Sequence, residues 1–426
     1  MRGLKAFAFA MCAGVALATM PAGPAAAETL TMWTMGQDQA AWVDWLNRAT
    51  KEFEASNPGS KVEITFYDKS ALRVALRTAL PAGQGPDIFY TEPDQKEFSE
   101  NGFLMPLNDM VDWNNIESWA PDAWSTDGKV WGLPLSFFTN ELYYNADLMA
   151  ELGVTIPENG LINQSEFFDI LKKAKAANME PLVVGAADRP FTGTYLTYEM
   201  LLKKLGPDDY RKLLTGTLSY ADPRVVDVMK YVKQVIDMGA YPKSLATMTL
   251  TDSYAFFYNH RGLLFPQGTW YTQRAFVSPD KGGQPQGFKV GVMSFPTVDG
   301  GACDTCKTLA IGGGYAVNAD TKNAGLIKAY FSKMATPEMG TLWTVTNYNQ
   351  SVIKSDTSKV TGPYADYFTK LGKIREGSEY FSGIPLTYLD GQCRETYVQV
   401  MNVGFPAGLI SVDDAISQMN AACFKG

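Results

Sequence analysis

The feature that most constrains the fold is an alternation of short apolar segments with amphipathic ones over residues 28–90. The segments "ETLTMWT", "KVEITFY" and "PDIFY" have the length and apolar content of buried strands, whereas "DQAAWVDWLNRATKEFEAS" and "SALRVALRTALPAG" between them repeat apolar residues at helical spacing. Strands that alternate with helices predict an α/β fold with a mainly parallel, doubly wound sheet. Ligands of such sheets bind beyond the carboxyl ends of the strands, which makes the segments after these strands the first candidates for a site.

The first 27 residues are typical of a cleaved export signal. Arg2 and Lys5 precede the apolar run "AFAFAMCAGVALATM", and Ala25 and Ala27 supply the A-x-A pattern of a cleavage site. We therefore expect cleavage after Ala27 and a periplasmic location. Removal of these 27 residues from 426 leaves 399, which is enough for two domains.

The charge of the chain excludes several classes of partner. The sequence has 45 acidic and 37 basic residues, a net charge of −8, and no basic stripe, which argues against nucleic acid and anionic membranes as partners. It has one histidine and contains neither H-E-x-x-H nor G-x-S-x-G, so serine hydrolase chemistry and histidine-rich zinc sites have no basis in this sequence. We expect no cofactor and no metal.

Four cysteines follow the predicted signal, and an even number in an exported chain indicates a disulfide framework with three possible pairings. Cys303 and Cys306 lie close enough to bridge locally, which leaves Cys393 to pair with Cys423. A C-x-x-C redox centre needs a helix N-terminus to lower the pKa of a thiol. Because Gly-Gly precedes this motif and the strand-like "TLAIGGGYAV" follows it, we interpret both pairs as structural disulfides.

Several segments, taken in order, resemble one protein family. They are "LTMWT", "GPDIFYTEPD", "GKVWGLPLSFFTNELYYNADLMAELGV", "GLLFPQGTWY", "VGVMSFPTVDGG" and "GGGYAVNADTKNAGLIKAYFSKMATPEM". Their order and spacing resemble the extracellular solute-binding proteins of bacterial ABC importers, in the carbohydrate-binding family that includes maltose-binding protein. The resemblance implies two α/β lobes joined by about three crossovers, with a sugar held between the lobes and no chemistry on it. By this resemblance residues 28–137 and 293–342 form lobe one, residues 138–292 and 343–426 form lobe two, and the hinge lies near residues 138, 292 and 342.

Polar side chains follow each of the first three strands. Gln37 and Asp38 follow the first, Ser70 follows the second, and Glu92 and Asp94 follow the third. Carboxylates and amides can each bond neighbouring sugar hydroxyls, and a hydrogen bond to a charged acceptor is worth about 1.5–3 kcal/mol. Each has an alternative role at the start of a helix, since Asp38 and Ser70 are good N-caps and Pro93 suits the first turn after Glu92.

Trp270 follows the apolar run "LLF" and the chain-breaking Pro266 and Gly268. A buried core tryptophan is one interpretation. The other is a flat platform for the apolar face of a sugar ring, which suits an amphipathic indole. The G-x-W element formed by Gly268 and Trp270 matches the family and favours the platform.

The remaining candidates lie in or near the expected second lobe. Phe138, Thr139 and Asn140 of "SFFTNELYYN" are expected to face the cleft at the first crossover. Gly193 and Thr194 offer backbone or hydroxyl contacts, although an N-cap is the favoured role for either alone.

Three further candidates come from the last third of the chain. By the resemblance, Gly314 and Tyr315 line the cleft, and the glycine permits close approach of the backbone. Arg394 has a planar guanidinium that can hold ring oxygens or an anionic group, with a surface ion pair as its alternative.

These expectations favour a monomeric substrate-binding component that delivers a sugar to the permease subunits of an ABC importer. A glycoside or disaccharide is favoured, while a monosaccharide, a polyol or an acidic sugar stays open. The alternative is a periplasmic glycosidase, which needs two carboxyl groups flanking the bond. Glu92 and Asp94 lie on one loop, which is a poor arrangement for that chemistry.

Overall fold

The computed structural model describes residues 28–426, so the predicted signal and its cleavage after Ala27 lie outside the described residues. The strands are β1 Thr29–Thr34, β2 Lys61–Phe66, β3 Ile88–Thr91, β4 Ser125–Thr126, β5 Lys129–Val130, β6 Leu133–Pro134, β7 Phe137–Asn145, β8 Glu180–Leu182, β9 Gly262–Gly268, β10 Val290–Met293, β11 Lys307–Ile311, β12 Gly314–Val317 and β13 Tyr380–Ser382. The helices are α1 Ala40–Ser56, α2 Lys69–Ala79, α3 Glu97–Glu100, α4 Ala146–Glu151, α5 Gln164–Ala176, α6 Tyr195–Thr215, α7 Pro223–Asp237, α8 Leu250–Asn259, α9 Tyr271–Ala275, α10 Ala324–Met334, α11 Pro337–Asn347, α12 Ala365–Arg375, α13 Pro385–Tyr388, α14 Gly391–Tyr397 and α15 Val412–Cys423. None of these helices is both long and apolar enough to cross a membrane.

The first lobe is built on a five-stranded sheet in the order β2-β1-β3-β12-β6. β1 runs parallel to β2 and β3, and β12 runs antiparallel to β3 and β6. Helix α1 packs on this sheet because its apolar residues recur every three or four positions and all face inward, as Trp42, Trp45, Leu46, Ala49 and Phe53 do. α10 and α11 pack against α1 and complete this core.

The second lobe is built on a six-stranded sheet in the order β13-β11-β7-β9-β8, with β10 also beside β7. β7 pairs antiparallel with β9, β10 and β11, whereas β8 with β9 and β11 with β13 are parallel pairs. Most of its helices, α5–α7 and α14–α15 among them, enclose a second core.

The two-lobed α/β fold is as predicted, but each sheet mixes parallel and antiparallel pairs, and the parallel ones are β1–β2, β1–β3, β8–β9 and β11–β13. Short connections carry the chain between the lobes, since only Gly312 and Gly313 separate β11 from β12. β7 and β12, which adjoin these passages, run antiparallel to each of their partners.

The prediction that residues 293–311 belong to lobe one is wrong. Met293 pairs with Leu142, and β11 pairs with the start of β7, so both strands belong to the second sheet. An apolar run such as "VGVMSF" suits either sheet, and its sequence does not distinguish the two.

The polypeptide passes between the lobes along a narrow band of backbone hydrogen bonds. Gly312 N–H donates to the Ser136 carbonyl at 2.8 Å, and Val352 N–H donates to the Leu135 carbonyl at 3.2 Å. The last passage lies between Lys354, which bonds Asn115 of the first lobe, and Tyr364, which stacks in the second lobe. The backbone passes between the two sheets near residues 136, 312 and 354–364, whereas the sequence predicts a hinge near residues 138, 292 and 342.

Both predicted disulfides are confirmed. Cys303 is bonded to Cys306 in the loop before β11, and Cys393 on α14 is bonded to Cys423 at the end of α15. The second bond closes a loop across 30 residues, which in the chain-entropy model stabilises the fold by about 3–4 kcal/mol.

Candidate functional site

A cleft of about 350 Å³ lies between the two lobes at the carboxyl ends of β1 and β3. Its first-lobe wall is formed by the segments that follow β1 and β3 and by the first turn of α2. Its second-lobe wall is formed by β7, the segments before α6 and after β9, and α14. The polar, charged and aromatic side chains that line the cleft include Gln39, Lys69, Ser70, Arg73, Glu92 and Asp94 from the first lobe and Phe138, Arg189, Phe191, Tyr254, Trp270, Gln273, Arg274 and Arg394 from the second.

An aromatic cluster forms one side of the cleft around Trp270. The Phe138 ring meets the indole edge to face, with 4.4 Å between centroids and 80° between planes, and the Phe191 ring lies 6.2 Å away at 78°. A Cβ atom at position 268 would lie 2.1 Å from the indole, so only glycine there allows Trp270 its position. The indole is partly exposed, and its packed edges leave a fixed apolar surface toward the cleft.

A chain of ion pairs forms the opposite side. Glu92 accepts from Lys69 at 2.5 Å and also from Arg73, whose guanidinium lies 3.8 Å from Asp94. Burial raises the pKa of the Glu92 carboxyl, but the charges of Lys69 and Arg73 outweigh it and hold that pKa below its ordinary value. Arg394 of the second lobe then reaches Asp94 at 3.3 Å. Both acids are therefore already partnered by cations.

A second ion pair also joins the lobes. Asp38, which follows β1, accepts a hydrogen bond from Arg274 on α9 at 2.5 Å. Asp38 was also a possible N-cap, but the side chain makes no cap bond to α1. Gln273, next to Arg274, accepts from Asn349 of the first lobe at 3.3 Å. The lobes are thus in direct contact at both ends of the cleft.

Two amides in the cleft have polar atoms without partners. The Gln39 Oε1 and Gln273 Nε2 atoms are buried and make no hydrogen bond within residues 28–426. One is an acceptor and the other a donor. A hydroxyl-bearing ligand can satisfy both, because a hydroxyl donates and accepts.

Six of the predicted side chains lie at the cleft, namely Ser70, Glu92, Asp94, Phe138, Trp270 and Arg394. Ser70 occupies the first turn of α2, whose N-cap is Asp68. Gln37, predicted to bind the ligand, is exposed and does not line the cleft. Gln39 lines it instead.

Thr139 and Asn140 do not face the cleft as predicted. Both are fully buried within the second lobe: the alternation of β7 directs Thr139 to the face opposite Phe138, whereas Asn140 shares the face of Phe138 and is covered there by Tyr198 and Glu199 of α6. The Asn140 amide donates to Thr308 Oγ1 at 2.8 Å and to Glu199 at 3.1 Å, so it belongs to a buried polar network.

Gly193 and Thr194 are buried as well. The Gly193 N–H donates to Asn402 Oδ1 at 2.8 Å, and a Cβ atom there would lie 1.9 Å from the Asn402 carbonyl, so packing explains the glycine. The Thr194 hydroxyl donates to the Phe191 carbonyl at 2.8 Å rather than capping α6.

Gly314 and Tyr315 lie in β12 inside the first core, so the prediction that they line the cleft is wrong. The Tyr315 hydroxyl bonds Thr34 and Trp42, each at 3.1 Å. Gly312 and Gly313, two residues earlier, line the cleft in their place.

Sequence reasoning missed Arg189, Phe191 and Tyr254. Arg189 and Phe191 lie in "DRPFTG", directly before the glycine that was chosen, so the segment was right and the residues were not. Tyr254 lies in an ordinary amphipathic helix, and its sequence carries no signal of a site.

A second charged cluster lies behind the cleft, inside the second lobe. Glu141 is fully buried between Lys307, at 2.8 Å, and Arg375, at 3.4 Å. Nearby, burial raises the pKa of the Glu199 carboxyl to about 7, against hydrogen bonds from Thr308 and Asn140 that lower it. These groups have no access to the cleft and stabilise the sheet that carries Phe138.

Solved structures with similar folds are two-lobed binding proteins. A chitin oligosaccharide binding protein superposes with a TM-score of 0.79 and 22% identity, covering 92% of this chain and 97% of that chain. The protein RafE in complex with raffinose gives a TM-score of 0.69 and 19% identity, covering 92% and 99%. At these identities the likeness shows the fold.

Sequence relatives agree with the fold. A multiple sugar-binding protein of Streptococcus mutans is 22% identical over 301 residues, 68% of each chain. A maltotriose-binding protein of Pyrococcus abyssi is 35% identical over 101 residues, which cover 23% of this chain and 22% of that protein. The family model described as bacterial extracellular solute-binding protein matches residues 38–341, well over half of the chain. This chain belongs to the family of bacterial extracellular solute-binding proteins.

Proposed function

We propose that this protein is the substrate-binding component of an ABC importer and that it captures a small saccharide in the cleft between its lobes. The observation that carries the proposal is the composition of the cleft. The Trp270 surface lies in the same cleft as an unpartnered acceptor on Gln39 and an unpartnered donor on Gln273. A sugar has an apolar ring face and a rim of hydroxyls, so it complements both kinds of surface.

The size of the cleft favours a short saccharide. Its volume of about 350 Å³ lies at the lower end of the range of about 300–1,000 Å³ that is usual for small-molecule sites. We propose a monosaccharide or disaccharide unit as the ligand. The sugar-binding names of the relatives support this class without specifying one sugar.

We propose a division into lobe one, residues 28–136 and 312–359, and lobe two, residues 137–311 and 360–426. Three passages without helical crossovers allow the lobes to rotate about the band at Ser136 and Gly312. A ligand that contacts Gln39 and Trp270 together touches both lobes only when the cleft is closed. That difference in contacts stabilises the closed form, which the permease then recognises. One chain supplies the whole cleft, so we propose that it acts as a monomer in the periplasm.

Binding rather than hydrolysis is proposed for the cleft carboxylates. A glycosidase needs one carboxyl with a raised pKa as its acid. Glu92 has a lowered pKa, and Asp94, on the same first-lobe wall as Glu92, is paired across the cleft with Arg394.

The proposal is tested by thermal unfolding with a panel of sugars, followed by calorimetry and solution scattering for any sugar that binds. A ligand at 100 times its Kd stabilises the folded state by about 2.7 kcal/mol, which a melting curve detects. We expect one site per chain, a decrease in radius of gyration on binding, and recovery of the sugar unchanged. Binding without compaction would refute closure, and release of sugar products would refute the binding role.

A further inference from the structure

The charges around the cleft differ from those of the whole chain. The chain has a net charge of −8, yet five cations line the cleft with two carboxylates: Lys69, Arg73, Arg189, Arg274 and Arg394 with Glu92 and Asp94. Asp38 and Asp188 at the edge offset two of the cations. The cleft and its edge therefore keep an excess of about one positive charge, which favours an anionic ligand.

Arg189 has the weakest contacts with acidic side chains of these five cations. The acidic oxygen nearest to it is on Asp188, at 3.9 Å, and no hydrogen bond to its guanidinium is found among residues 28–426. The other Asp188 oxygen accepts from the Leu250 N–H at 2.8 Å, which holds that carboxylate in place. The Arg189 carbonyl accepts from Asn402 at 2.8 Å, so the backbone that carries the arginine is fixed. An arginine with a fixed backbone and unused N–H donors can bind a planar carboxylate through two parallel hydrogen bonds.

Arg189 lies close to the aromatic surface. Arg189 lies two residues before Phe191, whose ring centroid is 6.2 Å from that of Trp270, and both residues line the cleft. Tyr254 and Trp270 line the same cleft. A charged substituent on a ring stacked at Trp270 can therefore extend toward the segment that carries Arg189.

We propose that the bound saccharide carries a single carboxylate, as a uronic acid does, and that Arg189 binds this group beside Trp270. The proposal rests on the proposed function and narrows its ligand class. The single negative charge of a carboxylate balances the excess of one positive charge in the cleft. A phosphate monoester carries close to two negative charges and would exceed it.

The test compares matched sugars that differ only in the anionic group. Calorimetry measures glucose with glucuronate, galactose with galacturonate, and disaccharides that end in either sugar, with glucose 6-phosphate as a separate arm. We expect a uronate to bind at least tenfold tighter than its neutral partner, since hydrogen bonds to a charged group are worth about 1.5–3 kcal/mol. We also expect its affinity to fall as salt rises.

Arg189→Gln is expected to reduce the ratio of uronate to neutral affinity to near one. Arg189→Lys is expected to retain part of the ratio, because the charge stays while the planar fork is lost. Lys243→Gln is the matched control, because it removes one exposed cation of the same lobe outside the cleft and leaves the ratio unchanged. The melting temperature of each variant checks its fold, and the partial exposure of Arg189 makes the substitution tolerable.

Each outcome distinguishes this inference from the proposed function. Neutral sugars that bind as tightly as uronates overturn the inference and leave the proposed function intact. Preference for glucose 6-phosphate over both uronates overturns the monoanion assignment. A uronate preference that survives Arg189→Gln overturns the role of Arg189. Failure of every sugar in the panel, with a non-carbohydrate ligand found instead, overturns the proposed function itself.

Discussion

Asp38 and Arg274 are 236 positions apart in the chain and on different lobes, yet Asp38 Oδ2 accepts a hydrogen bond from Arg274 Nη1 at 2.5 Å. With Asp94 and Arg394, this pair makes two ion pairs across one cleft. Both pairs exist only while the lobes are close together. They therefore stabilise the closed form before any ligand is bound.

Removal of the Asp38–Arg274 pair is expected to open the cleft slightly. The two side chains are 64% and 43% exposed, so the pair is worth about 0–1 kcal/mol. Asp38→Asn should enlarge the unliganded radius of gyration and weaken ligand binding by up to about fivefold, an effect that high salt removes. Scattering and calorimetry at two salt concentrations measure both. An Asp38→Asn, Arg274→Gln double variant that adds the two single effects would show that the residues are not coupled.

Trp270→Ala is expected to weaken saccharide binding strongly. Loss of a buried aromatic anchor costs about 2 kcal/mol or more, which is about thirtyfold in affinity. Calorimetry measures the loss, and unfolding in urea checks the fold. Trp113→Ala is the matched control, since Trp113 lies in the first lobe and does not line the cleft. Equal affinities for the two variants would assign Trp270 to the core alone.

Glu141→Ala is expected to destabilise the second lobe by about 3–5 kcal/mol, because it leaves Lys307 and Arg375 buried without their acid. Denaturant unfolding measures this loss. Glu158→Ala removes an acid of the same lobe that is 90% exposed and 3.4 Å from Lys373, and it should change the free energy of unfolding by less than about 1 kcal/mol. Similar losses in both variants would contradict the importance of the buried cluster.

Glu199 makes the stability of the protein depend on pH. Its pKa is about 7 in the folded protein against an ordinary 4.5, so the folded state holds a proton that the unfolded state has lost. The stability that this bound proton contributes to the folded state is fully present below pH 4.5 and is lost as the pH rises through 7. The free energy of unfolding of Glu199→Gln should decline less steeply across this pH range than that of the parent protein. An unchanged slope would assign the dependence to other groups; Lys203 is not one of them, because burial lowers its pKa to about 8 and it titrates above this range.

The regular elements could be predicted because they depend on local periodicity. The apolar spacing in α1 and α2 predicts their extents to within a few residues, and the first three strands are recognised from their apolar runs. The placement of β10 and β11 could not be predicted, because strand pairing is a long-range property and both segments are simply apolar. Strand order therefore had to come from the structure.

The site was predictable at the level of segments and less so at the level of residues. The segments after β1 and β3, the "DRPF" loop and the strand end before Trp270 all reach the cleft. Gln39 lines the cleft in place of the predicted Gln37, and Gly312 in place of Gly314. Each difference is two residues at a bend of the chain, and the local backbone geometry that decides which residue borders the cleft has no signature in the apolar pattern.

The Cys393–Cys423 bond ties the last helix of the chain to the helix that carries Arg394. Arg394 is the residue next to that bond, and its guanidinium spans the cleft to Asp94. We therefore expect reduction of this bond to loosen the helix that carries Arg394 and to weaken ligand binding. Oxidised and reduced preparations of the same sequence should then give different binding constants.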